Sequence, residues 1–148
     1  MSRRRTLGSE ENIMEDYELV GTASITEETQ EVTVQFSKPC TELFIIAQGL
    51  LGTNGQLMVG LNKSTKCISG MANDEINTTR VQNATYSMRK LSRDLWIKEG
   101  KLGYQYPVGN SNTLRQQFYN LEEDALDYIK FYPQYGSLTA GSIEVYGR

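Results

Sequence analysis

The chain has 148 residues, of which 39% are apolar and 22% charged, with a formal net charge of −3 and no histidine. A single domain of this length buries roughly two thirds of the surface its unfolded chain exposes, so it needs neither metal nor disulfides to fold. The acidic balance argues against nucleic acid as the main partner, and without histidine no serine–histidine or cysteine–histidine nucleophile pair can form.

Residues 1 to 16 read as an N-terminal docking arm, with a basic head of Arg3, Arg4 and Arg5 and an acidic base of Glu10, Glu11, Glu15 and Asp16. Such a composition does not build a core of its own, so the expectation is that it lies against a neighbouring subunit. The basic start lacks the apolar run of a signal peptide. No stretch reaches the length of a membrane span, and no membrane partner is expected.

Residues 17 to 148 read as one all-β domain, an antiparallel β-sandwich or jelly roll. Tyr17, Leu19 and Gly21 alternate into a first strand, and Val32 to Phe36 form a second that Pro39 ends. Leu43 to Ala47 is apolar on both faces, the pattern of a covered central strand. Gly52, Thr53, Asn54 and Gly55 predict a turn into a strand carrying Leu57, Val59 and Leu61. Residues 62 to 93 are rich in Asn, Ser, Thr and Arg and give only weak strand signals. Leu95 and Ile97 alternate around Trp96, and Gly100 divides them from Leu102, Tyr104 and Tyr106 in a second expected hairpin. Leu114 to Tyr119 predicts a strand, and Asn120 to Leu126 one helical turn capped by Asn120. Ile129 and Phe131 then alternate with Tyr128, Lys130 and Tyr132. Ile143 and Val145 alternate with Glu144 and Tyr146 in a strand that ties down the C-terminus.

No catalytic, cofactor or metal signature stands out. Two cysteines, Cys40 and Cys67, read as free buried thiols, with a bridge between them as the alternative. Asp94 and Glu99 flank Trp96 as the carboxylates of a glycoside hydrolase would, although two solvated charges explain them as well. Glu122, Glu123, Asp124 and Asp127 gather oxygens that calcium accepts, but without the spacing of a calcium loop. Seven of the nine tyrosines follow residue 100. If Ile129, Phe131, Ile143 and Val145 face the core, then Tyr128, Lys130, Tyr132 and Tyr146 face outward. With Trp96 they are the candidate contacts for a subunit interface or a glycan, a second core layer being the alternative.

Three stretches resemble one family. Glu42-Leu-Phe-Ile-Ile46, the ending Ala140-Gly-Ser-Ile-Glu-Val-Tyr-Gly-Arg148, and the opening Ser2-Arg-Arg-Arg5 with its acidic spacer before Tyr17-Glu-Leu-Val20 are similar to small phage and prophage virion-associated β-sandwich proteins of Gram-positive gut bacteria. The resemblance implies a virion structural protein of the tail, baseplate, collar or head fibre. It further implies a homo-oligomer, often a trimer, among other virion proteins, with host-surface glycan as a further partner. It brings no catalytic residue. A stand-alone carbohydrate-binding module is the first alternative, and a carboxylate-based glycoside hydrolase the second.

Overall fold

The computed structural model describes residues 16–61, 67–68, 82–104 and 112–148. Among them all regular structure is β: β1 (Glu18–Ile25), β2 (Val32–Cys40), β3 (Glu42–Leu61), β4 (Cys67–Ile68), β5 (Gln82–Ser92), β6 (Leu95–Tyr104), β7 (Asn112–Asn120) and β8 (Leu126–Gly147). All the pairings between them are antiparallel.

The architecture is a β-sandwich made by two long strands that serve both layers. β3 and β8 pair from Leu43↔Gly147 to Leu61↔Ile129, with register shifts between Gln48 and Leu57. Positive φ at Gly49, Gly136 and Gly141 marks the same region, where the chain turns from one layer into the other. The wide layer runs β1, the C-terminal half of β8, the N-terminal half of β3, β5, β6, β7. The narrow layer runs β2, the N-terminal half of β8, the C-terminal half of β3, β4. After β7 the chain returns across the wide layer to lay β8 beside β3, a Greek-key-like connection.

The layers meet through side chains that alternate inward. Leu43, Ile45, Ala47, Ala84, Tyr86, Met88, Ile143 and Val145 are buried on the wide layer. Val34, Phe36, Ile129 and Phe131 are buried on the narrow one. The rings of Tyr86 and Phe131, one from each layer, lie 6.1 Å apart between centroids.

Several sequence expectations change. Gly52 to Asn54 lie inside β3, so the expected turn and hairpin are one bent strand. The strands expected around Phe131 and Val145 are likewise one strand, β8. Leu121 to Ala125 form an irregular connection, and the helical turn is absent. Gly100 sits within β6 and does not divide a hairpin. Trp96 faces the core, opposite in parity to the expected outward ring. β5 is an ordinary strand whose Ala84, Tyr86 and Met88 supply the inward set. Cys40 is a free, buried thiol, pushed up in pKa by that burial. Residues 1 to 15 of the arm, with Arg3, Arg4 and Arg5, lie outside the described residues, as do the side chains of Cys67, Tyr104, Tyr106 and Tyr119.

Both glycines of the C-terminal ending are set by packing. A Cβ on Gly147 would stand 2.6 Å from Cys40 Sγ and 3.1 Å from Leu43 Cδ2. Gly141 combines φ of 130° with a Cβ position 2.8 Å from Leu50 Cδ2. We expect Gly147→Ala to destabilise the fold by about 1–3 kcal/mol in urea denaturation, through overpacking. Adding Cys40→Ala should return part of that loss, because the two sites share one contact. Strict additivity of the two changes would contradict the packing described.

Candidate functional site

The outward residues named from sequence fall on opposite sides of the sandwich. Ile129, Phe131, Ile143 and Val145 are buried as expected, while Tyr128, Lys130, Tyr132 and Tyr146 are half-buried and face away from the core. Tyr128, Lys130 and Tyr132 lie on the narrow layer. Lys130 Nζ stands 6.0 Å from the centre of the Tyr128 ring and 3.5 Å from Glu31 Oε2. Tyr146 belongs to the wide layer, where its hydroxyl donates to Glu144 Oε1 at 3.4 Å. Trp96 joins neither group: it is 0% exposed and belongs to the core, so its ring is not offered to a partner or a sugar.

The outer face of the wide layer carries apolar side chains among its described residues. Register places Leu19, Tyr146 and Phe44 side by side across β1, β8 and β3, with Ile46 in the next outward row. Leu19 is 50% exposed, and Phe44, Ile46 and Tyr146 are half-buried. Further along the same face, Ile97 on β6 stands opposite Phe118 on β7, which is 58% exposed. Charges of both signs surround these groups: Glu42, Glu99 and Glu144 with Arg89 and Arg148. Arg148 is held in place. Its guanidinium lies 4.8 Å from the Tyr17 ring centre and pairs with Asp16 and Glu42, each at 3.1 Å. Burial and the neighbouring Glu42 carboxylate push the Tyr17 phenol up in pKa.

Asp94 and Glu99 are not spaced as the two carboxylates of a glycoside hydrolase are. Asp94 lies in the β5–β6 turn and Glu99 along β6, five residues on. An extended chain separates such positions by roughly 16 Å, beyond the roughly 5–10 Å that glycoside hydrolysis uses. In the run Glu122 to Asp124 one lysine is held rather than a metal: the carbonyls of Glu123 and Asp124 accept from Lys90 Nζ at 2.9 and 3.5 Å, and the Asp124 carboxylate lies 3.7 Å from the same ammonium. Among the described residues no group of three acidic or cysteine side chains is placed to hold a metal ion.

Sequence reasoning missed Lys98. It is 0% exposed, on the inward face of β6 between Trp96 and Gly100. Its Nζ lies 6.0 Å from the Tyr86 ring centre. Among the described residues Lys98 Nζ, Tyr86 Oη and Trp96 Nε1 have no hydrogen-bond partner. Loss of hydration lowers the Lys98 pKa to about 7 and raises that of Tyr86. The sequence signal was the parity of Trp96, which carries Lys98 to the same face.

This lysine sets a pH dependence. The unfolded chain holds the Lys98 proton up to about pH 10.5, the fold only up to about 7. Between those values the unfolded state binds more protons, so stability rises with pH, by up to about 1.4 kcal/mol per unit. Below pH 7 the full penalty remains. Lys98→Met should abolish that slope and stabilise the fold at pH 7 by about 1–4 kcal/mol. Parallel denaturation profiles for the two proteins from pH 7 to 10 would refute the assignment.

Comparison with protein-family models, with curated proteins and with solved structures found no match to this chain.

Proposed function

We propose that this chain is a non-enzymatic structural module that assembles with copies of itself, as a phage virion protein of the tail, baseplate, collar or head fibre does. The carrying observation is the outer face of the wide layer, where Leu19, Phe44, Ile46, Tyr146 and Phe118 bring apolar surface to one side of a sheet already covered on the other. Apolar patches rimmed by polar groups mark interaction surfaces. The occupant that fits is a second copy. The rim carries Glu42, Glu99 and Glu144 beside Arg89 and Arg148, so symmetry-related copies can set acid against base.

The sequence resemblance supports the same reading and favours a trimer in the virion. The arm of residues 1 to 16, with Arg3, Arg4 and Arg5, would dock on a neighbouring subunit. The alternative of a carbohydrate-binding module draws on Tyr128 and Tyr132. It is weakened by Lys130, whose ammonium already lies over the Tyr128 ring.

Light scattering and native mass spectrometry on the full chain should show an oligomer at micromolar concentration. Leu19→Glu or Phe118→Glu should weaken association by about tenfold or more, since each removes a buried large apolar group. Both variants should keep the circular dichroism of the parent. A strict monomer at high micromolar concentration would overturn the proposal.

A further inference from the structure

A strand at the rim of a sheet presents a row of backbone N–H and C=O groups without a neighbour, and folds blunt such rows with bulges, prolines, charges or short length. Among the described residues the wide layer has its rims at β1 and β7, the narrow layer at β2 and β4. All but β7 are blunted. In β1 the register with β8 shifts between Leu19 and Gly21. β2 contains Lys38 and Pro39, and its pairing with β8 breaks between Gln35 and Cys40. β4 is two residues long. β7 runs for nine residues without proline or glycine and carries one charge, Arg115. It pairs with β6 without a register shift, from Leu95↔Asn120 to Gly103↔Asn112. Among the described residues no strand pairs with its other side.

We propose that β7 pairs antiparallel with β7 of a second copy, about a two-fold axis at Gln116, so that the wide layers of the two chains continue as one sheet. An antiparallel rim is complementary to its own copy, because a two-fold rotation lays donors against acceptors along the same strand. Gln116 is the midpoint of Asn112–Asn120, so this register pairs the whole strand. It sets Leu114 opposite Phe118, Thr113 opposite Tyr119 and Arg115 opposite Gln117, with no two like charges directly opposed. An axis one residue earlier would set Arg115 against itself, and one residue later would leave two residues of each strand unpaired. Phe118, 58% exposed at this rim, gains a neighbour there.

This contact differs from the packing of outer faces proposed above. It draws its affinity from main-chain hydrogen bonds along one edge, as strand addition does. It closes after two copies and leaves Leu19, Phe44 and Tyr146, on β1, β3 and β8, outside it. Edge and face are separate surfaces, so one chain has room for both contacts.

The test uses the full chain carrying Gln116→Cys, under mild oxidation at micromolar concentration. Opposed residues of an antiparallel pair have Cα atoms about 4.5–5.5 Å apart, within the span of a disulfide. Gln116→Cys should therefore link to its own copy at least about tenfold faster than Asn112→Cys, whose copies would stand roughly 27 Å apart across the axis. The parent, with Cys40 and Cys67, gives the background rate. Adding Leu19→Glu, which acts on the outer face, should leave the link at 116 in place, so loss of the face contact and loss of the edge contact are told apart. In the parent, the β7 amides directed away from β6, every second one, should exchange more slowly at high concentration than on dilution. Gln116→Lys, which opposes like charges at the axis, should weaken association by about fivefold. Equal linking rates at 116 and 112, or β7 amides whose exchange ignores concentration, would overturn the proposal.

Discussion

One antiparallel ladder holds this molecule together. β3 and β8 stay paired from Leu43↔Gly147 to Leu61↔Ile129, and each strand belongs to both layers of the sandwich. A layer cannot leave its partner without breaking that ladder, because the hydrogen bonds that define one layer continue into the other. The turn from layer to layer is absorbed by Gly49, Gly136 and Gly141, all at positive φ, where a side chain would be strained. The other strands attach to this spine. β1 and β2 follow the outer edge of β8 in succession, and the bridge Thr29↔Leu138 links them across the corner. β5, β6 and β7 extend from the edge of β3.

The spine also explains the chain's end. Arg148 N donates to Glu42 O, Thr41 N and Glu42 N donate to Arg148 O, and the Arg148 guanidinium joins Tyr17, Asp16 and Glu42. The ending from Ala140 to Arg148 is thus a packing motif: Gly141 for its backbone, Gly147 for its approach to Cys40. A motif of that kind carries information about a fold more than about a ligand. One face of the wide layer is closed by the narrow layer, and its outer face keeps Leu19, Phe44, Ile46, Tyr146 and Phe118 at or near the surface.

Much of the fold was legible wherever side chains alternate plainly. Val32 to Phe36, Ile129 with Phe131, and Ile143 with Val145 all face as their period requires. The corners were not legible. Gly52 to Gly55 carry turn chemistry, yet cross-strand pairing with β8 runs through that stretch and keeps it extended. Parity failed on β6, because Leu95 and Ile97 are apolar and Lys98 is charged, so the pattern assigned the wrong face to the core. Ile97 is buried on the outer face, and Trp96 and Lys98 take the inner one. The outward tyrosines were read correctly for orientation. That they divide between two opposite faces follows only from strand order, which a periodicity cannot supply. Lys98 stayed hidden for the same reason, since a buried lysine breaks the rule by which burial is inferred.

The most direct measurement is hydroxyl-radical footprinting of the full chain across a dilution series. If the outer face of the wide layer is covered by another copy, Leu19, Phe44 and Phe118 will be protected at high concentration and labelled on dilution. Tyr128 and Tyr132 on the narrow layer will keep one labelling rate throughout. Concentration-independent labelling of Leu19, Phe44 and Phe118, or protection confined to Tyr128 and Tyr132, would contradict the account.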